Sequence, residues 1–141
     1  MNTLGTKPTI RVSIEESYAI AKSFTAASKL TKGQLVKLKT DGTVDKLSGL
    51  TDVPFGMVTV GAESGQKATI QTNFQAIVNA KAEGSVTTSN ELAVNTHNAT
   101  TGCDEYKVAV STNAISAIAL SDATDSNDLV VGILRTPRIK A

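Results

Sequence analysis

The chain of 141 residues contains no tryptophan, one cysteine, one histidine and three prolines, and its aromatics are two tyrosines and three phenylalanines. A lone thiol, Cys103, excludes an internal disulfide and fits a reducing compartment. A lone imidazole, His97, excludes any metal site built from several histidines. Charge of one sign is also lacking: 14 Lys and Arg face 13 Asp and Glu, so no overall attraction to nucleic acid or to an acidic membrane is expected. No apolar run approaches the ~20 residues of a membrane span, which predicts a soluble, unprocessed protein with no membrane partner. With so few aromatics the core is expected to be thin and aliphatic, and stability to draw on self-association.

What is present is punctuation. Residues 1–12, "MNTLGTKPTIRV", hold little to bury and read as an arm that a partner orders; with the following polar residues the arm extends over 1–16. Residues 17–141 read as a single β domain with a short basic C-terminal tail, "RTPRIKA". The stretch at 13–24 is open to two readings. Ser13 with Glu16 forms a capping box for a short helix, whereas Tyr18, Ile20, Lys22 and Phe24 alternate as a strand does, and extended structure is expected from Tyr18 onward. Beyond Lys29, "QLVKLK", "KATIQT" and "YKVAVS" alternate with period two, and "FGMVTV" and "LVVGIL" suit strands buried on both faces. Short Gly, Asn, Asp and Ser turns separate them, and no segment carries a helical apolar stripe. The expected fold is all-β, a compact β-sandwich or barrel of short, mainly antiparallel strands.

A turn leading into a strand recurs four times, at Lys32-Gly33-Gln34, Ser64-Gly65-Gln66, Ser89-Asn90-Glu91 and Ser126-Asn127-Asp128. Gly33, Gly65, Asn90 and Asn127 are the residues expected to take a left-handed conformation. The chain can thus be read as two pseudo-repeated halves, with "PFGMVTV" answering "AISAIAL"; recurrence of common turns by chance is the alternative.

Chemistry is poorly supplied. His97 and Cys103 lie in "NTHNATTGCDE", whose polarity reads as a flexible surface loop, and their spacing with Asp104 and Glu105 matches no zinc site. "GAESG" has its serine at the wrong place for a nucleophile elbow, and no phosphate-binding loop is present. Asp41, Asp45 and Asp52 lack the spacing of a calcium loop, and Asp41-Gly42 reads as a hairpin turn. No catalytic residue, cofactor, metal or small-molecule substrate is therefore expected.

The order "LTKGQLVKLKTDGTV", "VPFGMVTVGAESGQKATIQTN", "SNELAVN", "AIALSDATDSNDLVVGIL" resembles the layout of tailed-bacteriophage capsid decoration proteins, also called head auxiliary or cement proteins. That resemblance spans roughly residues 29–134 and implies a non-enzymatic structural protein on the outside of a virion capsid. The implied protein is made in the host cytoplasm, commonly trimeric, and clamps subunits of the major capsid protein. The longer N-terminal segment and the glycine-poor second half depart from the pattern. A head-fibre base, a tail component or a host-surface adhesin module would use the same scaffold. Candidate contact residues are Ile10, Arg11 and Val12 on the arm and Arg135 and Arg138 near the other end.

Overall fold

The computed structural model describes residues 20–72, 75–98 and 102–141, and every regular element in them is a strand. The first half holds β1 (Ile20–Thr25), β2 (Leu35–Leu38), β3 (Val44–Lys46), β4 (Gly56–Val60) and β5 (Lys67–Thr72). The second holds β6 (Ala76–Ala82), β7 (Glu91–Asn98), β8 (Cys103–Val108), β9 (Ala114–Ala119) and β10 (Asp128–Ile139). The first five form a sheet in the order β1-β5-β4-β2-β3, and the last five close into a barrel, β10-β6-β8-β7-β9. Traced from β6, the barrel runs β6-β10-β9-β7-β8, which is the same order.

The likeness extends to single residues. Thr25 pairs with Lys67 as Lys81 pairs with Asp128, and Ile20 with Thr72 as Ala76 with Ile133. Val58 pairs with Ile70 as Ala119 with Val131. Leu35 opposes Met57 as Glu91 opposes Ile118, and Leu38 opposes Val44 as Val94 opposes Tyr106. Closure is shared as well. Ala26 bridges Val44 in parallel, as Ala82 does Tyr106; the second half adds Lys81 opposite Glu105, which completes its barrel. The chain is thus one five-stranded unit used twice, and the all-β, mainly antiparallel expectation holds with one parallel pairing per unit as the addition.

The cores obey the same correspondence. Ala26, Leu30, Val36, Val44, Val58, Ala68 and Ile70 fill the first unit. Their counterparts by register, Ala82, Val86, Leu92, Tyr106, Ala119, Leu129 and Val131, fill the second. Leu35, Leu47 and Met57 point the other way out of the first sheet and join the second unit's cluster, so the two units share one continuous apolar body. Phe24 and Phe55 meet edge to face at 5.4 Å beside the first core.

The turns correct one expectation. The left-handed residues are Gly33 and Gly65 in the first half but Ser89 and Ser126 in the second, one position before the asparagines. In each turn the left-handed residue donates its N–H to a distant backbone carbonyl at 2.8 Å: Gly33 to Val58, Gly65 to Ala26, Ser89 to Ala119 and Ser126 to Ala82. The amide residue that follows serves another purpose. In two of the turns its side chain accepts the N–H at the start of the turn, from Thr31 to Gln34 at 3.1 Å and from Thr87 to Asn90 at 2.9 Å, whereas Asn127 donates its Nδ2 to the Thr124 hydroxyl at 2.6 Å. A fifth copy, unnoticed in the sequence, is Val110-Ser111-Thr112-Asn113, where Thr112 is left-handed and Asn113 accepts from Val110 at 3.0 Å.

Candidate functional site

The most chemically varied stretch is the one read as a flexible loop. Its described residues belong instead to a long β7–β8 hairpin, with His97 opposite Asp104 and Asn98 opposite Cys103. Its arms are longer than those of the equivalent β2–β3 hairpin, and the extra length reaches the first unit. Asp104 accepts the backbone N–H of Leu35 at 2.9 Å, a buried bond between the units. Gly102 is left-handed, and a Cβ there would stand 3.3 Å from the Thr31 methyl group. The hairpin is a brace between the two units.

The aspartates weighed as ligands are spent separately. Asp41 accepts from the Thr43 N–H and hydroxyl, Asp45 from Ser28, and Asp52 from Ser48 and Lys37. Among the described residues no three His, Cys, Asp or Glu side chains gather where a metal could sit. Tyr106 stands fully buried where the first unit has Val44, and its hydroxyl finds no partner; burial, with the Asp104 charge adding, pushes its ionisation well above the usual range. A phenol held neutral in an apolar core is no acid or base at working pH.

Of the proposed contact residues, Ile10, Arg11 and Val12 lie outside the described residues. Arg135 and Arg138 both fall within β10, so the stretch read as a tail is strand as far as Ile139. The pairing of β10 with β9 is interrupted between Ile133 and Arg138, where Pro137 has no N–H to give, and resumes with Arg138 opposite Ile115. Arg138 and Lys140 both grip Glu91 on β7. The Lys140 hydrogen bond, aided by the Arg138 charge, holds the Glu91 carboxyl below its ordinary range.

Apolar surface was not singled out in the sequence, yet it is the main unspent feature. Ile77 is 73% exposed and Leu120 45%. Ile77, Ile118 and Gly132 line a groove of about 510 Å³ on the outer face of β6, β10 and β9. Leu120 lies over Gly132, whose missing Cβ deepens the groove. The alternation in "AIVNAKA" places Ile77 opposite in facing to the buried Ala80 and Ala82, and that was the available signal.

No protein-family model matches the chain, and no curated protein does. Among solved structures it matches the head fiber gp8.5 N base of bacteriophage phi29, with a TM-score of 0.58 over 85% of this chain and 98% of that one. The chain is similar in fold to a phage head-fibre base. Sequence identity is 11%, so the likeness establishes the fold and no residue-level role.

Proposed function

We propose that the chain is a structural protein of a bacteriophage virion, seated on the exterior of the head and without catalytic activity. The observation that carries this reading is the fold shared with a phage head-fibre base over nearly that whole domain. The turn-and-strand layout supports the same class. In this reading the partner is the major capsid protein, the assembly is a homotrimer, and no small molecule, nucleic acid, cofactor or membrane takes part. Rigid double units suit a protein that spans neighbouring subunits, since many copies add small interfaces by avidity. The arm, through Ile10, Arg11 and Val12, adds main-chain contacts on the capsid, and Arg135 and Arg138 border the seat.

Two roles share that seat: a clamp that stabilises the shell, and a base that carries a fibre. The second is favoured by the neighbour's own description. Co-sedimentation with purified capsids tests the shared step. The full chain is expected to pellet with undecorated capsids, and deletion of residues 1–12 to reduce occupancy. Failure to pellet over the micromolar range would sink the reading. A clamp raises the temperature at which shells rupture, whereas a base leaves it unchanged.

A further inference from the structure

Register also aligns the turns that cap one end of each unit. Leu30 and Ala62 exchange backbone hydrogen bonds as Val86 and Ala123 do, and Ala26 donates its N–H to Gln66 as Ala82 does to Asn127. Lys29, Lys32 and Lys67 therefore stand where the second unit has Ser85, Thr88 and Asp128. Glu83, Asp122 and Asp125 stand where the first has Ala27, Gly61 and Ser64. On one backbone layout, the first cap sets three lysines against Glu63, and the second sets four carboxylates against Lys81. The near balance of charge over the whole chain hides this division. Residues 20–72 hold seven lysines against four Asp and Glu, and residues 75–141 hold five Lys and Arg against seven. Partners within the chain take up little of it. Lys29 reaches Glu63 at 3.7 Å with both side chains open to solvent, and Lys81 takes Asp128 at 2.5 Å. Among the described residues Lys32 and Lys67 form no ion pair. Asp122 accepts from the Thr88 N–H and hydroxyl and Asp125 from the Gly84 N–H, and neither pairs with a cation among the described residues. At this acidic cap a groove of about 440 Å³ opens, with Thr87, Asp122, Thr124 and Asn127 in its lining.

We propose that the acidic cap around Asp122 and Asp125 docks the basic cap of a second copy of this chain, with Lys32 and Lys67 of that copy set against the groove. Charge complementarity names the occupant. The two caps share one backbone layout, so a face-to-face contact between them has matching contours, while first cap on first or second on second would oppose like charges. Inverted sign at equivalent positions selects the mixed pairing. Each copy contributes a different unit to each contact, so the interface is heterologous, and a rotation that closes yields a ring. The inference rests on the reading above only for the association of copies into a homotrimer. Its test needs no capsid, so either can fail while the other stands.

The experiment is solution mass by analytical ultracentrifugation on the full chain, across micromolar concentrations, at low salt and at about 1 M salt, where charges are screened within about 3 Å. The wild type is expected to exceed the single-chain mass at low salt and to fall toward it at high salt. Lys32→Glu combined with Lys67→Glu is expected to weaken association by about tenfold or more. The urea midpoint of that variant stays as in the wild type, because both side chains are exposed and unpaired. Asp122→Lys combined with Asp125→Lys weakens association likewise. Lys39→Glu, an exposed position at the far end of β2 from Lys32, changes the charge of the same unit and leaves the mass as in the wild type. Mixing the two double variants sets the new glutamates against the new lysines and leaves the other contact native, so the mixture regains mass above the single chain. A wild type that is monomeric at low salt, a mass indifferent to salt or to both double variants, or a mixture that stays monomeric would overturn the proposal. So would a monomeric wild type whose Lys32→Glu, Lys67→Glu form loses capsid binding, since the basic cap would then belong to the capsid protein.

Discussion

Thr112 is a β-branched residue held at φ 72, a region L side chains enter at a cost of roughly 1–2 kcal/mol. It tolerates the conformation because the turn uses it twice over. Its N–H goes to the Lys140 carbonyl, and Asn113 closes the turn behind it. Gly33 shows the same slot filled at no steric cost, with nothing within 4 Å of where a Cβ would stand. Thr112→Gly is therefore expected to raise stability by about 0.5–1 kcal/mol, the relief outweighing glycine's extra freedom in the unfolded chain. Gly33→Ala should lose about 1 kcal/mol by the same backbone term. Urea midpoints decide it: if Thr112→Gly lowers the midpoint, the left-handed slot is not what limits the turn. Ser in the place of Gly also explains why the left-handed residue of the two second-half turns, Ser89 and Ser126, lies one position before the asparagine that the sequence suggests. Asparagine is the residue expected to go left-handed, but here its side chain ties down the first residue of the turn, Asn90 by accepting the Thr87 N–H and Asn127 by donating to the Thr124 hydroxyl.

At the level of elements, the β7–β8 hairpin illustrates what local pattern cannot show. The stretch "NTHNATTGCDE" has no apolar alternation, so nothing within it announces a strand. Its outer residues are strand because they pair with one another and rest on the first unit through Gly102 and Asp104. β10 is similar: Arg135 to Arg138 read as a tail, yet Glu91 on a neighbouring strand anchors Arg138 there. By contrast, the β2–β3 hairpin was legible outright. Its alternation is clean, and Gly42 is left-handed at φ 85, with Asp41 accepting the Thr43 N–H as the dipeptide requires. Asp104→Ala tests the brace. It leaves the buried Leu35 N–H without its acceptor, so a loss of about 1–3 kcal/mol is expected by denaturant unfolding. A loss below about 0.5 kcal/mol would mean that apolar packing alone holds the units together.

At the scale of the molecule, four carboxylates among the described residues sit below their ordinary values of 3.8 for aspartate and 4.5 for glutamate: Asp41, Asp52, Asp122 and Glu91. The causes are chiefly hydrogen bonds from Thr43, Ser48, Thr88 and Lys140; burial of Asp52 opposes its shift without cancelling it. Groups depressed in the folded state contribute stability above the unfolded values and lose it as pH falls through the folded ones. Stability should thus be level from neutrality down to about pH 5 and decline below about pH 4. Glu91→Gln should shallow that decline, and molar salt should shrink the difference because the Glu91 ion pairs are partly open to solvent. A thermal midpoint that rises on acidification would contradict the assignment. On this scale the sequence disclosed the fold class and the repeated halves through its turns. It hid the shared register and the parallel closure, which depend on residues far apart in the chain.

The matched registers of the two units carry a hazard that their side chains answer. β1 could pair with β10, or β6 with β5, without breaking a hydrogen bond of the ladder, because the partners stand opposite in the same order. The cores differ where such an exchange would occur. Phe24 and Val44 in one unit face Ala80 and Tyr106 in the other, large beside small in opposite order. A traded strand would crowd two rings together in one unit and leave a void in the other, so each strand is sorted to its own partner during folding.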